Sequence, residues 1–549
     1  MSTITYTITS DSNAMPATYK LLSISVSNEV NRISYAEMVL IDGDYSKQVY
    51  SISDGDFFDP GKKINISIRE EGEAEEEKVI FKGSVVTQSL RYDQGNSLLT
   101  VEMSDDAIKM TTIKQSDIFK DIKDSELIES LISHSGVNMG TVDDTKFKHE
   151  RIVQYHTTNW DMLLSRADVN GLLVTAVNGK VSARVPKLSA PSVKTFKLGK
   201  DIIYDLDLKL DISDQYAGIQ TTTWDEEGHT TGKSNVESFN LEQGKLKAAD
   251  IKKISGDKAE RLLALVPLSP EEGKAWAEAR MLRTRLSMLR GSFKIGGFTS
   301  VNLLDNINLE GMGLKFKGLT MVTGIRHEVT ENGWFTHLQF GLGAAGLSGT
   351  TSLTALPASG LLPGINGLQT AVVEDIELDA TKRVRVKVRM FGAIGADKVV
   401  WARMATLGAG HERGMFFWPE KNDEVVLGFI NDDPRYPVIL GSLYGSKNMP
   451  PVPRDETNAT KGFVSRKGLK LIFDDELQQV SIHTSEGNRI VINENKKFIE
   501  INDVNKNNIT LSADGIVINA ANNLVIKAEG DISIKGKAVK IEGSKIELK

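Results

Sequence analysis

The side chains best suited to metal ligation or proton transfer are eight histidines: His134, His149, His156, His229, His327, His337, His411 and His483. No two lie within six residues of each other, so none forms the closely spaced pair that one helix presents to zinc. His327-Glu328 begins like a zinc-protease motif, but residue 331 is Glu331 where the second imidazole would stand. The chain has no cysteine, which removes disulfide frameworks, thiolate metal sites and cysteine nucleophiles. Gly341-Leu342-Gly343-Ala344-Ala345-Gly346 matches the dinucleotide fingerprint. The residues after it, Ser348–Ser359, are small, polar and broken by Pro357. No amphipathic helix opens there to receive a phosphate, so the glycines read as a hinge. The acidic run Gly72–Glu77 reads as a solvated hairpin loop rather than a metal cluster. Neither catalysis nor a cofactor nor a metal is expected.

A basic strand carries the remaining candidate chemistry. Over Arg383–Met390, Val384, Val386 and Val388 alternate with Arg383, Arg385, Lys387 and Arg389, and Phe416, Phe417 and Trp418 follow in the same module. Basic strands with aromatic platforms can bind single-stranded nucleic acid. Asp423, Glu424, Asp432 and Asp433 neutralise the module, and the whole chain carries a net charge of −7. Nucleic acid is therefore not expected as a partner.

The elements that would position these residues are mostly strands. Alternation marks Thr3–Ile8, Leu21–Val26, Glu37–Ile41, Lys63–Ile68, Val79–Gln88 and Ser97–Met103, which suit a small barrel. Ile118, Phe119, Ile122, Leu127, Ile128, Leu131 and Ile132 have helical spacing and predict a helix over 116–135. A short helix is expected over Trp160–Val169 behind a Thr157–Asn159 cap. A long helix is expected from Ser269, with Pro270 at its first position, Glu272 closing a capping box and Gly291 ending it. Proline-bearing linkers at 356–367 and 446–460 divide the chain into 1–355, a β module at 368–445 with the size of an OB-like barrel, and 461–549. The N-terminus lacks the basic and apolar regions of a signal peptide, and synthesis in the cytoplasm is expected.

The last segment repeats one unit, an aliphatic residue on each side of a variable one. The units are Ile490/Ile492, Ile499/Ile501, Ile509/Leu511, Ile516/Ile518, Leu524/Ile526, Ile532/Ile534, Val539/Ile541 and Ile546/Leu548, starting 7 to 10 residues apart. Strict alternation at a short period describes stacked strands with one apolar face. All the units before the last form the expected needle core. Such short strands bury only alternate positions, too little to repay the ordering of their backbones. Identical chains sharing one apolar axis would supply the missing cover and pair the free edges. The alternative is a single-chain solenoid or an array of hairpins laid on the preceding domain.

Several stretches resemble the VgrG spike family of contractile injection systems and its tailed-phage counterparts. Gln154-Tyr155 with Trp160–Ala167, and Gly318–Glu328 with Trp334-Phe335-Thr336, are similar to the hub; Trp401-Ala402-Arg403, Gly408–Pro419, Asp423–Val426 and Asp432–Leu440 are similar to the OB domain; Leu443–Pro450 is similar to the exit into the needle. The resemblance implies a mainly β fold: an α+β hub of phage-hub-like barrels, an OB-fold barrel and a trimeric β-helical needle. It implies a homotrimer joining baseplate and inner tube to a membrane-puncturing spike, with effector cargo and a proline–alanine–alanine–arginine (PAAR) repeat protein as tip cap. The cap's expected seat is Ile546, Glu547, Leu548 and Lys549. Asn431–Pro437 resembles extracellular injection particles more than cell-anchored type VI secretion, so release of the assembled particle is expected. The chain departs from phage spikes in having no lysozyme between barrel and needle, and from VgrG members with appended effectors in stopping at Lys549. The rival readings are a phage or type VI spike with peptidoglycan hydrolase activity and a receptor-binding tail protein.

Overall fold

The computed structural model describes residues 4–547 except 45, 71–76, 94, 226–227, 229, 238–252, 265–266, 348–355, 377–382, 391–398 and 454. The acidic run Gly72–Glu77 falls outside the described residues except for Glu77. The chain divides into two compact units, Met1–Ala355 and Leu356–Lys549.

The first unit is built on a 13-stranded sheet with two lobes. Strands Ile4–Ser10, Lys20–Glu29, Tyr35–Ile41, Lys63–Glu70, Lys78–Asp93 and Asn96–Ser104 wrap one lobe. Their alternate residues, among them Ile24, Val26, Met38, Ile66 and Val101, are sealed inside it. Gly318–Thr330 pairs with Lys20–Glu29 and carries the sheet into the second lobe, whose core includes Phe196, Phe293, Leu338 and Phe340. Among the described residues no helix is long and apolar enough to cross a membrane.

Three of the described helices pack beside the sheet: α1 (Asp124–His134), α2 (Asn159–Val169) and α3 (Pro270–Met288). The helix expected over 116–135 is half strand. Lys114–Lys123 pairs antiparallel with Lys148–Thr158, and the helix starts only at Asp124, where the Glu126 carboxylate accepts from the Lys123 N–H at 2.9 Å. Spacing at 118, 119 and 122 fits either period over so few residues, and the long-range pairing decides. Thr158 caps α2 by accepting from the Asp161 N–H at 3.0 Å, and Ser269 caps α3 by accepting from the Glu272 N–H at 3.0 Å. The capping box does not close, because the Glu272 carboxylate faces Arg166, 3.5 Å away. Gly291 does not end the helix either. It lies inside strand Leu289–Gly296, where a Cβ would come within 2.2 Å of the Asp207 carbonyl oxygen.

The helices enclose a buried ion cluster. Asp124, almost fully buried, accepts from Arg166 Nε at 2.6 Å, Arg166 Nη2 at 2.9 Å and Asn170 Nδ2 at 2.8 Å, and His149 Nε2 lies 3.1 Å away. Burial alone would raise its pKa, but the hydrogen bonds from His149 and Arg166 and the guanidinium charge hold it well below the usual carboxylate range. Desolvation is therefore offset inside one chain.

The second unit opens with a closed five-stranded barrel: Gln369–Asp375, Arg385–Met390, Val400–Met404, Pro437–Leu443 and Glu424–Phe429. Val386 and Val388 point into its core, beside Val373, Val425, Leu427 and Ile439. Val384, expected on that face, precedes the strand and is 69% exposed. From Thr460 the chain forms a seven-stranded antiparallel meander that ends at Asn519.

Candidate functional site

The turns of the meander fix its register through side chains that cap their own backbones. The Asp503 carboxylate accepts from the N–H groups of Asn505 at 2.9 Å and Asn507 at 2.8 Å, and the Asn493 amide oxygen accepts from the Lys496 N–H at 2.6 Å. Hydrogen bonds from Asn507 and Asn505 hold the Asp503 pKa below its ordinary value. Gly515 sits at φ +123°, a turn conformation that L side chains rarely adopt.

That register stacks like on like. Ile490 faces Ile482 on one side and Ile501 on the other, and Ile492 faces Val480 and Ile499. The ladder continues through Ile501–Ile509–Ile518 and Ile499–Leu511–Ile516. In the other direction it reaches Leu471 and Phe473, with Phe463 opposite Leu471. Sequence reasoning missed these lower rungs, although Leu471/Phe473 and Val480/Ile482 repeat the apolar–x–apolar unit. Their neighbours Lys470, Asp474 and His483 made them look like ordinary surface strands.

Within a single chain this ladder is uncovered. Of the residues expected to line an axis shared between chains, Ile490, Ile492, Ile499, Ile501, Ile509, Ile516 and Ile518 are exposed within one chain, with Ile490 at 40%, Ile492 at 47% and Ile516 at 69%. On the opposite face Ser481 and Val491 are buried, and Arg489 pairs with Glu500 at 3.0 Å. Most of the aliphatic ladder thus stands in solvent while Ser481 and Val491 behind it are covered, unlike an isolated soluble sheet with its apolar face packed. Each rung contributes a cross-strand aliphatic pair, and the rungs together form a patch that marks an interaction surface.

Beyond Asn519 the units Leu524/Ile526, Ile532/Ile534 and Val539/Ile541 continue the pattern without in-chain strands. Ile526 is not buried but 65% exposed, Ile534 is 71% and Ile541 64% exposed, and Leu524, Ile532 and Val539 are exposed as well. The physical reason is the same for Ile526 as for the others: its expected strand finds no partner among the described residues of one chain, so no second layer covers the side chain. Of the expected tip seat, Ile546 is exposed and Glu547 pairs with Lys545, while Leu548 and Lys549 lie outside the described residues. The Gly341–Gly346 run lies against α3, with Arg280 and Arg283 donating to the carbonyls of Ala344 and Ala345. Gly341 adopts φ +73°, and a Cβ there would come within 2.3 Å of the Leu289 carbonyl. The run is stapled by the helix and offers no open cradle, which replaces the expected hinge over these residues. Residues 348–355 lie outside the described residues.

A two-lobed β hub, a closed barrel of the OB type and a meander with an uncovered aliphatic ladder follow one another along the chain, and proteins similar to it include VgrG-type spikes. The chain belongs to the family of the Alg8 N-terminal domain, whose model matches residues 1–331. Residues 369–444 match a second family, the type VI secretion system/phage-baseplate injector OB domain. The chain is 27% identical over 199 residues to the actin cross-linking toxin VgrG1 of Vibrio cholerae serotype O1, covering 33% of this chain and 17% of that protein. It is 33% identical over 106 residues to the type VI secretion system spike protein VgrG5 of Pseudomonas aeruginosa, covering 18% of this chain and 13% of that protein. The chain thus matches less than a fifth of the length of either relative. Among solved structures, the 43 kDa tail protein of prophage MuSo2 from Shewanella oneidensis is similar at 12% identity and a TM-score of 0.46, covering 62% of this chain and 98% of that one.

Proposed function

We propose that the chain is a structural subunit of an injection spike, working as three copies around the aliphatic ladder. The uncovered ladder carries this reading. Its stripe is continuous from Phe463 to Ile518, resumes as the same repeat to Ile546, and is left largely exposed by the described residues of one chain. Three copies facing a common axis would bury it and pair the residues beyond Asn519 between chains. A prism closed in this way passes axial force along stacked strands without a free edge to unzip. In this reading the hub joins inner tube and baseplate, the OB barrels form a collar, and the needle punctures the target membrane during effector delivery. The apolar end at Ile546–Lys549 seats a PAAR-type cap. The role is mechanical, and no catalytic step is assigned to the chain.

Native mass measurement of the full chain tests the assembly: three times the 60.3 kDa chain is expected, and a stable folded single copy at micromolar concentration would refute it. Pull-down of a PAAR-repeat protein by the full chain and by a variant lacking 544–549 tests the tip, with capture expected only from the full chain.

A further inference from the structure

The rungs of the ladder are nearly equivalent, so sliding one copy along another by a rung still places aliphatic against aliphatic. A surface that repeats itself gives affinity but specifies register weakly. Something outside the ladder must set the axial position of each copy.

The outer wall of the barrel carries a groove of about 920 Å³ at the foot of the ladder. Arg383, Arg385, Arg403 and Arg413 line it, and Glu412 is the one acidic side chain lining it among the described residues. Asp423, Glu424, Asp432 and Asp433, the acids expected to neutralise this stripe, do not line it. Asp433 holds Arg435, a fifth arginine that lines the groove, with contacts of 2.6 to 3.2 Å. The apolar side is formed by Phe416, Phe417, Trp418 and Tyr436, and Phe416 is 80% exposed. The Phe417 ring stacks on Phe463 at 5.4 Å between centroids. Phe463 is the first rung, so groove and ladder are one continuous uncovered surface.

We propose that this groove is the register lock of the assembly, receiving the acidic turn Asp474–Leu477 of the next copy. The proposal rests on the three-copy reading above. Asp474, Asp475 and Glu476 bring carboxylates in one turn, followed by the exposed Leu477, an acidic and apolar pair that complements an arginine and aromatic wall. In its own chain Asp475 meets Lys461 at 2.5 Å and Asp474 caps the Leu477 N–H at 2.8 Å. Glu476 has no ion-pair partner among the described residues. The turn joins strands Lys470–Asp474 and Gln479–His483, the second and third of the meander, close to the rung that touches the groove. A groove on one copy filled by a turn from the next is a heterologous contact, which closes into a ring when the rotation is right. Only one register places three consecutive carboxylates against the guanidinium groups, because the other turns of the meander, up to Asn519, carry at most single acids such as Glu486, Glu494 and Asp514.

The chain has no cysteine, so a Glu476→Cys, Arg413→Cys variant of the full chain carries only the introduced thiols. Mild oxidation is expected to give covalent dimers and trimers from the double variant and none from either single variant. Full-chain Arg403→Glu, Arg413→Glu is expected to raise the concentration at which the assembly dissociates by about tenfold, and Asp475→Arg, Glu476→Arg to do the same. Combining all four substitutions is expected to recover most of the loss. An intact trimer by native mass that neither cross-links nor responds to charge reversal overturns the lock and leaves the three-copy reading standing. Absence of any trimer in the unsubstituted chain overturns that reading instead. Saturable binding of a labelled oligothymidylate of about twenty nucleotides, abolished by Arg403→Glu, Arg413→Glu, would give the groove to single-stranded nucleic acid and also overturn the lock.

Discussion

The ion cluster under the hub helices and the aliphatic ladder of the needle place opposite kinds of side chain in opposite surroundings. Around Asp124, charges are buried and each is met by a partner from the same chain. Along the ladder, Ile490, Ile501 and Ile516 are exposed and face other aliphatic rungs of the same sheet. A buried charge without partners and an exposed aliphatic stripe without cover are both costly. The hub meets that cost within one chain, whereas on the proposed three-copy reading the needle meets it between copies. On that reading, folding of the first region is a property of the sequence, and folding of the second a property of the assembly and its concentration.

The largest expected effect tests this division directly. Ile501 lies mid-ladder, between Ile490 and Ile509. Ile501→Asp would place a carboxylate on the shared axis in every copy, a penalty of several kcal/mol each and on the order of 10 kcal/mol per trimer. Native mass should show single copies, while the denaturation midpoint of the hub stays unchanged. A trimer surviving the substitution would mean that the ladder faces solvent after assembly.

In the hub the corresponding break is Asp124→Ala. It leaves Arg166 enclosed without its bidentate carboxylate, a loss of about 3–5 kcal/mol. The hub transition in denaturant should fall by that amount at every protein concentration, with assembly stoichiometry unchanged.

How much of this was legible before the structure depends on whether the deciding partner was near in the chain. Caps at Thr158 and Ser269 and the alternating strands around Ile24 and Val101 need only local patterns, and they stand where the sequence places them. The strand Lys114–Lys123 was misread because its pairing residues begin at Lys148. Glu272 was assigned to its own helix cap, when Arg166 competes for it from a different helix. The groove is half legible: its arginines and aromatics stand out in the sequence, but that Asp423 and Asp432 do not line it, and that the Asp433 carboxylate reaches only Arg435 among the described residues, is tertiary. The repeat is visible as a pattern, and short strands that bury only alternate positions already imply that its apolar face, from Ile490 to Ile526 and on to Ile541, lacks cover in one chain.

A pH titration sharpens the comparison further. Burial pushes His327 from 6.5 down to about 4, with Thr336 Oγ1 3.1 Å from its Nδ1. The unfolded chain binds this proton first as pH falls, so hub stability is fully present above pH 6.5 and is lost progressively toward pH 4, by up to about 3 kcal/mol. The Asp503 turn of the needle has its pKa lowered from 3.8, so its contribution is present above that value and is lost only at more acid pH. The two windows do not overlap. Hub unfolding followed by chemical denaturation should weaken between pH 6.5 and 4, and His327→Gln should flatten that slope.

The smallest effect concerns the cap of α3. Since Glu272 is turned toward Arg166, Ser269 Oγ is the side-chain acceptor at the start of this helix, at 3.0 Å from the Glu272 nitrogen. Ser269→Ala should lower hub stability by about 1 kcal/mol, seen as a drop of a few degrees in the hub melting temperature. Because the bond lies within one chain, the drop should be the same at high and low protein concentration. A drop that grows on dilution would mean that the hub helices, like the ladder, draw part of their stability from other copies.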